Sequence, residues 1–162
     1  MYIKCKLNEE LSSFKNLHFP YKNRKRSSFS HRVTVGIGGN IGDVKRRFEH
    51  LFSFFKNEKR VDLIKTGLIL KNPPFGYKEQ EDFFNSIIVL QTDMLPFEIL
   101  AYLMRVERYF GRKRSFANAP RTLDLDIIFY DNKVIKTEKL TLPHHAYKER
   151  ESVMIPLKSL LR

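Results

Sequence analysis

Apolar positions along the chain fall into two repeating patterns. Val44, Phe48, Leu51, Phe52 and Phe55 recur at i, i+4, i+7, i+8 and i+11, the spacing that gathers side chains on one face of a helix. Asp43 stands just ahead of them, where a carboxylate accepts the free N–H groups of a first turn. Ile99, Leu103, Val106 and Phe110 repeat the pattern behind Pro96 and Glu98, which suit a helix start, and Gly111 ends it. Short apolar runs at 33–37, 61–70, 83–90 and 122–130 have strand character instead. The second run stops at Asn72-Pro73-Pro74-Phe75-Gly76, because two prolines remove donors from any ladder. The predicted order is βαββαβ. Its two adjacent middle strands break the alternation that a doubly wound parallel sheet needs. The expected fold is therefore α/β (α+β), a ferredoxin-like sandwich with an antiparallel sheet and two helices on one face.

Residues 1–32 stand outside that pattern. Ile3, Cys5 and Leu7 alternate with Lys4 and Lys6 as in a short strand, whereas Lys22-Asn23-Arg24-Lys25-Arg26-Ser27-Ser28 has no apolar period and reads as a linker or mobile arm. The expected division is a basic N-terminal extension over 1–32 and one globular domain over 33–162, a size and a 42% hydrophobic content that suit a single core.

Thirty Lys and Arg against eighteen Asp and Glu give a formal charge of +12, half of it in the extension. Such a balance asks for an anionic partner and leaves nucleic acid, acidic lipid and phosphorylated small molecules open. The longest apolar run, at 99–104, falls far short of the roughly 20 residues of a spanning helix, and no signal-peptide core is present, so a soluble cytoplasmic protein is expected. Cys5 is the single cysteine, which excludes an internal disulfide and a cysteine-built zinc site.

The stretch with most chemical content is Arg121-Thr122-Leu123-Asp124-Leu125-Asp126-Ile127. Strand alternation puts Asp124 and Asp126 on one face, about 7 Å apart along the backbone. Like charges at that spacing raise each other's pKa unless a cation lies between them, and paired oxygen ligands suit Mg²⁺ better than zinc. On spacing alone a solvent-facing strand end fits equally well. Just upstream, the run from Gly111 to Arg121 carries Arg112, Lys113, Arg114 and Arg121 with no acid, a pattern fit for phosphate oxygens or for a solvated face. The turn Gly36-Ile37-Gly38-Gly39-Asn40-Ile41-Gly42 matches neither the dinucleotide fingerprint nor the Walker loop. His144 and His145 are adjacent, and on an extended chain their rings face apart, which argues against joint metal ligation. Phe83 and Phe84 read as core, with Asn85 as their odd polar neighbour.

In combination these segments resemble the 6-hydroxymethyl-7,8-dihydropterin pyrophosphokinase family of folate biosynthesis. The resemblance rests on G-G-N-I-G-D at 38–43, N-P-P-F-G-Y-K-E-Q-E-D-F-F-N at 72–85, G-R-K-R at 111–114, P-R-T-L-D-L-D-I at 120–127 and L-P-H-H-A-Y-K-E-R at 142–150. It implies the same ferredoxin-like fold, and transfer of pyrophosphate from ATP to the pterin alcohol with release of AMP. It further implies that Asp124 and Asp126 hold two Mg²⁺ ions and that Arg112 and Arg121 stabilise the transferring group. Arg114, Lys139, His144 and Arg150 would surround the ATP, with Glu107, Ile127 and Thr141 completing its pocket. Asn85 would bind the pterin by hydrogen bonds and Phe83 would stack on it, with Asn72, Pro73 and Phe75 lining the same pocket.

Three places along the chain depart from the family pattern. The run Ala117-Asn118-Ala119-Pro120-Arg121 lacks an arginine and a tryptophan common before the aspartates, Ser152 stands where an aromatic residue is common, and His145 replaces a tyrosine. The loops at 38–42, 73–82 and 112–120 are expected to close over the substrates, since water would compete as nucleophile. A different reading makes the protein a basic nucleic-acid-binding module, in which Asp124 and Asp126 are electrostatic liabilities. Another keeps pterin or ATP binding without turnover.

Overall fold

The computed structural model describes residues 1–161. The strands are β1 (Ile3–Lys6), β2 (Ser12–Lys15), β3 (Tyr21–Lys22), β4 (His31–Gly39), β5 (Val61–Thr66), β6 (Ile69–Asn72), β7 (Phe83–Thr92), β8 (Asp124–Tyr130), β9 (Ile135–Lys136) and β10 (Thr141–Leu142). The helices are α1 (Val44–Asn57), α2 (Pro96–Tyr109) and α3 (Glu151–Ser159). The main sheet runs β1-β2-β6-β7-β4-β8, with β5 also on β7 and β3 on β5, and all its pairings are antiparallel. From β4 to β8 it follows the expected βαββαβ order except that the second strand is divided into β5 and β6.

Both predicted helices form where their spacing placed them. Asp43 caps α1 by accepting the Arg46 N–H, and Glu98 Oε1 accepts the Leu95 N–H at the start of α2. Their apolar faces pack against Val33, Val35 and Ile37 of β4, Ile88 and Leu90 of β7, and Leu125 and Ile127 of β8 in one core. The opposite face of the sheet is covered by α3, whose Val153 and Leu157 meet Ile87, Val89 and Ile128. Sequence reasoning missed α3 because it is short and carries Pro156 within it.

The expected single strand over 61–70 is two strands. Gly67 and Leu68 interrupt it, since their carbonyls accept from the Ser86 hydroxyl at 3.1 and 2.9 Å. A Cβ at Gly67 would lie 2.6 Å from the Pro156 carbonyl oxygen, so glycine is what lets α3 approach here.

At the front of the chain the expected short strand at 3–7 forms as β1, while the run at 22–28, expected as a linker or mobile arm, is held against the sheet. Residues 3–22 add strands to the sheet, and Phe14 and Phe19 enter the main core. Glu49 of α1 gathers three side chains from this segment: Tyr2 and Asn16 donate at 2.9 and 2.5 Å, and His18 Nδ1 lies at 2.5 Å while its ring stacks on Phe52. The basic run is pinned as well, with the Asn23 N–H donating to Ile64 and Ser27 to Asp62. Charge density hid this because the anchors are backbone groups and small polar side chains, which carry no apolar period.

Candidate active site

The site is built on the middle of the sheet. In β4, Gly38 lies between Asn85 of β7 and Asp124 of β8, and Gly36 lies between Ile87 and Asp126. A Cβ at Gly38 would come within 2.4 Å of Asn85 Oδ1, so the strand floor stays open only with glycine there.

Over this floor lies a cavity of about 380 Å³ whose lining includes Asn72, Pro73, Phe75, Phe83, Asn85, His144, Arg150 and Ser152. Asn85 Nδ2 donates to Asn72 Oδ1 at 2.7 Å, which fixes both amides and leaves Asn85 Oδ1 as a free acceptor direction. A second cavity of about 440 Å³ is lined by the loop from Arg112 to Arg121. Asp124, Asp126, Arg121 and Arg150 line both cavities and form their common wall.

Asp124 is held from two sides: Arg112 Nη1 donates to its Oδ1 and Arg121 Nη1 to its Oδ2, each at 3.1 Å. Arg112 and Arg121 are only 9% and 16% exposed, so they face this carboxylate rather than an open surface that a nucleic-acid backbone would meet. Behind them, the buried Glu107 accepts from the Leu125 N–H at 2.8 Å and from Arg114 at 3.1 Å, with Arg112 at 3.5 Å. Burial pushes the Glu107 carboxyl up and Asp124 adds to this, against the pull of the Leu125 N–H and the arginines. Burial likewise pushes Asp126 up to about 7, with the Asp124 and Glu107 carboxylates adding to it and Arg150 and Arg121 opposing.

Asp124 has two guanidinium partners, whereas Asp126 is crowded by two other carboxylates, and a divalent cation beside the pair would favour its charged form. Among the described residues no group of three or more His, Cys, Asp or Glu is placed to hold a metal. Two carboxylates beside an arginine-lined cavity nevertheless fit Mg²⁺, which binds through one or two carboxylates plus substrate phosphates and waters.

Other expected residues lie farther out. The Ile127 side chain is 4% exposed in the core on the helix side of the sheet, opposite the aspartates. Lys139 is exposed, Thr141 lies on β10, and neither lines these two cavities. His144 and His145 do not face apart: the chain turns here, and the rings stack with centroids 4.7 Å apart. Burial, then His145 and Arg150, hold the His144 imidazole below its ordinary pKa, which favours the neutral ring.

Sequence reasoning missed contributors in three places. Buried Asn40 accepts the Arg121 N–H and donates to Gln80 and Glu81, tying the three loops together. A polar residue inside a glycine turn was the available signal. Phe116 packs edge-on against Tyr77 at 5.3 Å, an aromatic link between the two longer loops near the position that lacks the tryptophan. Glu10 and Leu11 line the Asn85 cavity from the front segment, and nothing in their spacing announced it.

Fold and site together define an α+β protein of the ferredoxin-like kind with a carboxylate and arginine centre where two cavities meet. Residues 34–162 match the model of the family described as 7,8-dihydro-6-hydroxymethylpterin-pyrophosphokinase (HPPK), and the chain belongs to that family. It is 40% identical over 143 residues to the 2-amino-4-hydroxy-6-hydroxymethyldihydropteridine pyrophosphokinase of Campylobacter jejuni, covering 88% of this chain and 91% of that protein. The protein of the same description from Helicobacter pylori is 40% identical over 86% of each chain, and that from Bacillus subtilis 33% identical over 76% and 74%. The Campylobacter match is long enough that it must run into the segment ahead of Val33.

Proposed function

We propose that this protein transfers the pyrophosphoryl group of ATP to 6-hydroxymethyl-7,8-dihydropterin, with Mg²⁺, as an enzyme of folate biosynthesis working in the cytoplasm. The observation that carries the reading is the shared wall: a ring-sized cavity and an arginine-lined cavity meet at Asp124 and Asp126.

The pterin lies over β4, with Phe83 against its ring and the Asn85 and Asn72 amides on its edge, while Pro73 and Phe75 close one side. The triphosphate lies along the arginine loop. Arg112 and Arg121 turn from Asp124 toward the transferring group, and Arg114, Arg150 and His144 hold the rest of the nucleotide. Glu107 keeps Arg112 and Arg114 in place from behind, a positioning role. The pterin hydroxyl oxygen bonds to the β-phosphorus as the bond from that phosphorus to the oxygen bridging it to the α-phosphate breaks, AMP leaves with that oxygen and its electron pair, and the hydroxyl proton passes to water. Such a reaction asks for alignment and charge neutralisation more than covalent chemistry. Two Mg²⁺ ions held by Asp124 and Asp126 would supply charge neutralisation at the phosphates when bound.

The test is direct. Mixed with the pterin, ATP and Mg²⁺, the purified protein is expected to release AMP, and Asp124→Ala or Asp126→Ala to abolish that release. No AMP above a no-enzyme control from the unmutated protein would refute the assignment.

A further inference from the structure

The front segment reaches the site as well as the core. Between β1 and β2 the chain makes a tight turn: the Leu7 and Asn8 N–H groups donate to the Leu11 carbonyl, and Asn8 Oδ1 accepts from the N–H groups of Glu10 and Leu11 at 2.8 Å each. This turn has a fixed address, because β2 is zipped to β6 with Ser12 opposite Lys71. Leu11 is thereby set beside the end of β6, where Asn72 begins the pterin-side wall. It is 5% exposed, packed with Leu68, Leu70 and Ile155, and it lines the same cavity as Asn85.

We infer that the front hairpin is a wall of the substrate site, with Leu11 and Glu10 determining how tightly the bicyclic ring is held. The inference rests on the assignment above and adds to it residues outside the segment that the family model matches. Two features favour it. Ser152, which lines the cavity, offers no aromatic surface against the ring, so apolar contact on that side has to come from elsewhere. Leu11 presents the uncovered edge of its side chain to the cavity from a turn anchored by Asn8 and by the pairing of β2 with β6, and Glu10 at the exposed end adds an acceptor for the N–H groups that a pterin edge presents.

The experiment compares the full-length protein with Leu11→Ala, Leu11→Met and Glu10→Ala, reading steady-state KM for each substrate, kcat, thermal midpoint and direct pterin binding by its fluorescence. Leu11→Ala is expected to raise the pterin KM and Kd about tenfold with the ATP KM unchanged, the scale of lost apolar contact in a pocket. Glu10→Ala, on an exposed residue, should raise both about threefold at an unaltered thermal midpoint. A merely structural hairpin would instead lower the thermal midpoint and kcat with pterin KM constant. If Leu11→Ala fails to fold, Leu11→Met and Glu10→Ala decide. Turnover by the wild type with unchanged pterin KM and Kd in folded variants overturns this inference alone, whereas absence of wild-type turnover overturns the assignment and this inference with it.

Discussion

Asn40 Oδ1 accepts the backbone N–H of Arg121 at 2.9 Å, and the Asn40 N–H donates to the Arg121 carbonyl at 3.0 Å. Two loops 81 positions apart in sequence are thus clasped through both polar groups of one peptide backbone. The same side chain passes the link to Gln80 Oε1 and the Glu81 carbonyl, at 2.8 and 2.9 Å. The residue that delivers a guanidinium to Asp124 is therefore positioned from a turn that does not itself line the arginine cavity. Asn40→Ala should cost about 1–3 kcal/mol, the penalty of stranding buried polar groups. It should also lower kcat about tenfold or more, with smaller changes in either KM. Urea unfolding and steady-state kinetics check the two halves, and an Asn40→Ala protein with wild-type kcat would sever the proposed link to Arg121.

Arg112 and Arg114 lie two residues apart and meet the same Glu107, yet their surroundings differ. Arg112 is 9% exposed and bridges Glu107, Asp124 and the Leu123 carbonyl, whereas Arg114 is 62% exposed and bonds Glu107 alone. Removing Arg112 strips a cation from two carboxylates, one of them buried. Arg112→Ala should lose both stability, by about 2–4 kcal/mol, and nearly all activity. Arg114→Ala should change stability by less than about 1 kcal/mol and act chiefly on the ATP KM. Equal destabilisation by the two substitutions, measured by urea unfolding, would contradict this division.

How much of this was legible follows from where the signal was stored. Helices α1 and α2 and the face shared by Asp124 and Asp126 were readable because each depends on a short local period. The Arg112 and Asp124 contact was suggested by nearness in sequence, but its geometry needed Glu107, brought in from α2 across the core. The split between β5 and β6 was invisible, since it depends on Ser86 and Pro156 from other elements. In the front segment the alternation at 3–7 was legible as β1, but β2 and β3 were not, because they pair with β6 and β5 and charge density along the chain says nothing about long-range pairing.

Phe19 tests that last point. Its side chain is fully buried and lies 6.0 and 6.1 Å, centroid to centroid, from Phe48 and Phe52. An appendage would tolerate its loss. As part of the core, Phe19→Ala should cost about 3–5 kcal/mol in a single cooperative unfolding transition. A loss below about 1 kcal/mol, or a separate early transition for the front segment, would return it to the status of an arm.

Glu49 gives the front segment a pH dependence. Burial pushes its carboxyl up, but the hydrogen bonds from Asn16, His18 and Tyr2 outweigh this and leave it below its ordinary value of 4.5. For a carboxylate whose folded pKa is depressed, the unfolded chain binds the proton more readily, so the stabilisation is complete above the unfolded pKa and disappears as pH falls through the folded one. The wild type should therefore lose stability as pH drops below about 4.5, through this group among others. Glu49→Gln removes the titrating group and weakens the three contacts, so it should be less stable near neutral pH by about 1–3 kcal/mol and should decline less steeply in acid. Unfolding free energies of both proteins from about pH 3 to pH 7 give the comparison. Parallel curves would mean that the carboxylate contributes nothing charge-specific to holding the front segment on α1.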